Sequence, residues 1–134
     1  FFMFFNNLKR NEFCYRHHCY ETTKKVVEYL EIKEGAYSSS FQSRLAGQPW
    51  LKPYTDKVVE NLAKNGTKKM AIVTPAFVSD CLETLEEIGM EAKEDFIEKG
   101  GEEFHVIPCL NDDNNWVKVL SRWIDEWALT SVET

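Results

Sequence analysis

The stretch MAIVTPAFVSDCLETLEEIGMEAKEDFIEKGGEEFHVI (70–107) decides the fold. Its opening MAIVT (70–74) is a short continuous apolar run, the pattern of a parallel strand covered on both faces. Ser79 or Asp80 then stands where a helix cap belongs. Leu82, Leu85, Ile88, Ala92 and Phe96 follow on the apolar side of a helix, and Gly100-Gly101 supplies its stop. Phe104–Ile107 reads as the next strand. A strand, a helix and a strand in succession imply parallel pairing through a crossover.

Working outward, Tyr20–Leu30 reads as a helix with Thr23, Val26, Val27 and Leu30 on one side. Ala36–Ser43 reads as a strand. Pro53 opens a second helix with the stripe Val58, Val59 and Leu62, which Asn65-Gly66 ends. Asp112 or Asp113 opens a last helix carrying Trp116, Val119, Leu120, Trp123, Ile124 and Trp127. The order α-β-α-β-α-β-α predicts an α/β three-layer sandwich, a doubly wound parallel sheet of three to four strands. Strands are expected at 37–42, 69–74 and 103–107. The FFMFF run (1–5) is expected to add another, because five such side chains are costly to solvate. The domain plan is a short leader over 1–18, one domain over 19–129 and a tail over 130–134.

At 134 residues, 43% hydrophobic and 28% charged, the chain has the composition of a globular domain with a real core. No apolar run approaches the ~20 residues of a membrane span, so no transmembrane segment is expected. FFMFF is too short for a signal sequence and lacks preceding basic residues. Cys14, Cys19, Cys81 and Cys109 form no C-x-x-C pair, which predicts a reducing, cytoplasmic setting. His17, His18 and Cys19 could ligate a metal, but adjacent histidines converge poorly on one ion, and surface or capping roles fit them better.

The net charge of −6 is concentrated. Residues 80–103 hold ten acids against Lys93 and Lys99, leaving the remainder of the chain at +2. An acidic chain without a basic stripe argues against nucleic acid as partner. Asp80, Glu83, Glu87 and Glu91 fall within about 80° of one helix face, where like charges repel. The outer face of an amphipathic helix is ordinarily charged and solvated, and Glu94 and Glu98 continue the stripe. Glu83 differs in lying in the first turn, beside the carboxyl ends of the strands where α/β sheets bind ligands. Gln42-Ser43-Arg44, Thr74-Pro75-Ala76-Phe77 and Pro108-Cys109-Leu110-Asn111 fall at that edge, with Trp50 nearby in sequence. Carboxylates beside an aromatic pocket suit a divalent cation or a cationic substrate.

The segments SFQSRLAGQPWLKPYTD (40–56), PAFVSDCLETLEEI (75–88) and IPCLND (107–112) resemble the ferrochelatase family, over roughly residues 14–127. That resemblance implies insertion of ferrous iron into protoporphyrin IX, the last step of heme biosynthesis, with the match confined to the family's carboxyl-terminal half. It implies that Glu83 is the active-site glutamate and that Glu83, Glu87 and Glu91 form a path for a hydrated cation or for protons. It implies that Gln42, Ser43, Trp50 and Phe77 line the porphyrin cleft. Cys81 replaces a histidine carried by some members. Protoporphyrin IX and Fe2+ are the implied substrates; no permanently bound cofactor and no iron–sulfur cluster are expected.

The family's other metal-facing residue is a histidine in an S-x-H-G-x-P strand end. His17, His18 and His105 have no such context, and a worn remnant of that strand would put Asn6 near its place. The expectation is therefore a ferrochelatase half that requires a missing amino-terminal half, or association with a second copy. The alternatives are a vestigial binding module of the same fold and a related cobalt or nickel tetrapyrrole chelatase.

Overall fold

A computed structural model describes residues 13–42 and 49–131. The elements in chain order are α1 (Tyr15–Tyr29), α2 (Thr55–Lys64), β1 (Lys69–Ile72), a π-helix (Glu83–Ala92) running directly into α3 (Lys93–Glu98), β2 (Glu103–Val106) and α4 (Asn114–Ser131). Strands β1 and β2 are parallel and adjacent, with Met70 opposite Phe104 and Ile72 opposite Val106. These four side chains share one face of the sheet because alternate residues of a strand point the same way. Val59 and Ala63 from α2, Ala92 from the π-helix and Phe96 from α3 close over Phe104, with Met70, Ile72 and Val106 at the margin. Phe96 is 0% exposed and meets Phe104 at 5.7 Å between ring centroids.

Helix ends follow the expected chemistry. Gly66 N–H donates to Ala63 O at 3.0 Å and Thr67 N–H to Leu62 O at 3.0 Å, the paired bonds of a left-handed helix stop. Gly100, at φ 108°, and Gly101 repeat that pattern on Ile97 O and Phe96 O. Glycine at 101 serves packing as well, since a Cβ there would lie 2.1 Å from the Phe96 ring. Helix α1 ends in the same way at Glu31, φ 52°, where no glycine announced a stop. Of the two acids expected to open α4, Asp113 does so: its Oδ1 accepts the N–H of Asn115 at 2.8 Å and of Trp116 at 3.3 Å.

Two expectations are corrected. First, the described sheet has two strands, shorter than the 69–74 and 103–107 anticipated. Segment 37–42 joins no ladder; Phe41 alone bridges to Tyr54, through Phe41 N–H to Pro53 O at 2.9 Å and Thr55 N–H to Phe41 O at 3.2 Å. Its serines turn instead to side-chain partners, Ser39 to Thr23 and Ser40 to Thr55, each at 3.0 Å. Second, the apolar run 70–74 is covered on one face, with Ala71 and Val73 exposed. Helix α4 keeps Trp123 51% and Trp127 69% exposed. The described elements make a mixed helix and strand arrangement around a small parallel sheet, compatible with the expected α/β class, with the core helices packed on one face. The FFMFF strand lies outside the described residues. Helix α1 crosses the expected boundary at 18/19, and α4 crosses the one at 129/130.

Candidate active site at the strand edge

Thr74 leaves β1 and turns at once, its carbonyl accepting the Phe77 N–H at 2.9 Å. Cys109 leaves β2 beside it, with Sγ 3.4 Å from Thr74 Oγ1. The two exits are thereby held side by side, and the segment entering the π-helix passes across them. Asn111 N–H donates to Val78 O at 3.0 Å, and the Asn111 side chain pairs with Asp80. Asp80 was expected as a helix cap. Its carboxylate instead accepts the Asn111 amide at 2.6 Å and the Thr84 hydroxyl at 2.9 Å. Thr84, 1% exposed, reaches back to accept the Cys81 N–H at 3.0 Å. These bonds to the charged form, Asn111 first, then Thr84 and Cys109, hold the Asp80 carboxyl below its ordinary value. Burial pushes the Cys109 thiol up.

Glu83 is the first residue of the π-helix and is half-buried. The Cys81 thiol beside it, and then its own backbone N–H, hold the Glu83 carboxyl below its ordinary value. The local donors outweigh burial, which alone would raise it.

Glu87 is half-buried and accepts a hydrogen bond from the Gln42 amide. The Gln42 carbonyl in turn accepts the Trp50 indole N–H at 2.9 Å, and Tyr15 leans on Trp50 at 6.5 Å between rings. Two of the expected cleft residues, Gln42 and Trp50, are therefore connected to Glu87 of the expected path, 45 positions from Gln42 in sequence. Phe77 sits half-buried at the β1 exit, Glu91 is exposed, and Ser43 lies outside the described residues.

The wider winding of the π-helix changes the carboxylate row. Bonds from i to i+5 turn each residue through less than 100°, so four-residue steps undershoot a full turn instead of overshooting it. Glu83, Glu87 and Glu91 follow one another along this wider helix as a row of single anionic stations. Among the described residues, no three His, Cys, Asp or Glu side chains converge to hold a metal ion. Asn111, Thr84 and Cys109 were not singled out by the sequence; only their position at the strand-end loops or beside Glu83 pointed toward them.

A parallel strand–helix–strand unit with an acidic helix start and an aromatic at its strand edge marks this as a mixed helix and strand protein of the α/β kind. The ferrochelatase family model matches residues 5–128. A ferrochelatase of Pseudomonas putida (strain W619) is 50% identical over 113 residues, 84% of this chain and 34% of that protein. One of Legionella pneumophila (strain Lens) is 44% identical over 117 residues, 87% of this chain and 35% of that protein. One of Brucella anthropi is 51% identical over 106 residues, 79% and 30% of the two chains. The chain belongs to the ferrochelatase family. It spans about a third of the length of these curated relatives. No described helix is long and apolar enough to cross a membrane.

Proposed function

We propose that this chain supplies the metal-handling part of a site that inserts Fe2+ into protoporphyrin IX. The observation that carries the reading is Glu83, half-buried at the strand edge in a chain whose family is ferrochelatase. Metallation releases two pyrrole N–H protons while hydrated Fe2+ exchanges water for nitrogen, so hard oxygen ligands and proton acceptors must converge. Iron keeps its oxidation state throughout, so the step calls for no resident redox cofactor, and none is proposed.

Glu83, whose carboxyl lies below its ordinary value with the Cys81 thiol beside it as the first cause, is better suited to receive the cation and relay protons than to act as a strong base. Glu87 and Glu91 extend the route outward. The Gln42 amide on Glu87 blocks that station until it swings away or passes its contact to the incoming ion. Trp50, Phe77, Gln42 and Ser43 form the porphyrin wall contributed by this chain. The uncovered face of the β1–β2 sheet supports further strands and a second helical layer in the whole protein, giving a doubly wound three-layer fold. The other wall of the cleft comes from the remainder of a ferrochelatase or from a second copy. Four free thiols support a reducing, cytoplasmic setting.

A metallation assay with protoporphyrin IX and Fe2+ or Zn2+ tests the reading. The chain alone should quench porphyrin fluorescence weakly and turn over well below about 1 s⁻¹. Supplying the remaining two thirds of a relative such as the Pseudomonas putida ferrochelatase should raise the rate. No porphyrin binding and no gain on complementation would overturn the proposal.

A further inference from the structure

Asn111 occupies a position with three simultaneous demands. Its backbone is left-handed, at φ 47°, a region open at low cost to glycine, asparagine and aspartate. Its Oδ1 accepts the Asp80 N–H at 2.8 Å. Its Nδ2 donates to Asp80 Oδ2 at 2.6 Å. Glycine meets the first demand only, and aspartate meets the first two but presents a carboxylate to Asp80. Glutamine or serine fails the first. Asparagine meets all three, and the reverse orientation of its amide would set oxygen against the Asp80 carboxylate.

The pair connects onward. Asp80 Oδ1 accepts the Thr84 hydroxyl, and Thr84, the neighbour of Glu83 in the same turn, accepts the Cys81 N–H on its Oγ1. With the Asn111 N–H on Val78 O, three bonds from this one residue fasten the approach to the π-helix onto the β2 exit. We propose that Asn111 is a positioning residue for Glu83, locking Asp80 and through it the first turn of the π-helix against the strand edge. The inference rests on the reading of Glu83 as the reacting carboxylate.

The pair can be inverted atom for atom. With Asp80→Asn and Asn111→Asp together, the amide introduced at position 80 donates where Asp80 Oδ2 had accepted, and its carbonyl still takes the Thr84 hydroxyl. The carboxylate introduced at position 111 still accepts the backbone N–H of position 80. Asn111→Asp alone sets two carboxylates face to face. The test measures amide hydrogen exchange in the full chain for the parent, Asn111→Asp, Asn111→Gly and the double exchange, together with the amide resonance of Glu83.

Either single variant at 111 should speed exchange at Cys81, Thr84 and Leu85 about tenfold or more, as expected for losing a bond to a charged group. Core amides at Val59, Phe96 and Phe104 should change less than about threefold. The Glu83 amide resonance should move in Asn111→Asp, and the double exchange should return both signals toward the parent. Equal acceleration everywhere, no acceleration, or a double variant no better than Asn111→Asp would overturn the inference. Should Asn111→Asp not fold, Asn111→Gly, which keeps the left-handed backbone, decides by its exchange pattern. Metallation assayed in the complemented protein adds a second arm, with kcat falling in Asn111→Asp and recovering in the double exchange. A parent that does not metallate removes the proposed function, and the exchange pattern still decides the role of Asn111.

Discussion

Glu83, Glu87 and Glu98 carry equal charge on one helical stripe, yet only the first two are half-buried. A field effect of the whole acidic helix would make all three matter alike, whereas a cleft would separate them. Calorimetric titration with a divalent cation should show weaker binding for Glu83→Gln and Glu87→Gln and parent-like binding for Glu98→Gln. Equal losses would reduce the row to a solvated face. A second expectation concerns acid. Asp80 has a folded pKa below its ordinary 3.8, so its stabilising contribution is complete above that value and is lost as pH falls through the lower, folded one. Thermal unfolding against pH should therefore decline below about pH 4, and Asp80→Asn should decline less steeply. At this scale the sequence revealed residues whose type announces chemistry, such as Glu83, Glu87 and Trp50. It hid Asn111 and Thr84, because an amide or hydroxyl acquires its role from partners that the chain brings together only on folding.

Helices and their stops were legible because periodicity and glycine placement are local. Asn65-Gly66 and Gly100-Gly101 end helices as their residues require, whereas Glu31 ends α1 in a left-handed conformation that glutamate does not advertise. Strand coverage was not legible. The run 70–74 reads as doubly buried because local composition does not say which helix arrives on the second face. The contrast between Phe96 and Trp127 measures this. Phe96→Ala should cost about 3–5 kcal/mol by chemical denaturation, since it empties the centre of the core. Trp127→Ala, at a residue 69% exposed, should cost less than about 1 kcal/mol despite removing a larger side chain. Comparable losses would mean that α4 is packed in solution.

On the scale of the whole molecule, apolar surface is unevenly covered. Trp123, Ile124, Trp127 and Leu129 are exposed along α4, and Trp50 is 41% exposed at the cleft edge. Water does not tolerate such surface cheaply: at about 25 cal/mol per Å², a few hundred Å² correspond to several kcal/mol available to whatever covers it. Association itself opposes this with a comparable loss of freedom, so a weak complex is expected rather than a permanent one. Sedimentation velocity should show mass rising with concentration in the range of tens of micromolar, on the usual scale of weak interfaces. Trp123→Glu with Trp127→Glu should abolish that rise if α4 is the contact, and Trp50→Ser should abolish it if the cleft edge is. Supplying the remainder of a ferrochelatase should suppress self-association through the same surface, because one face cannot serve both partners. A chain that stays monomeric to about 100 μM would show that the exposed tryptophans are tolerated in water, and would remove the case for a second copy as the other wall of the cleft.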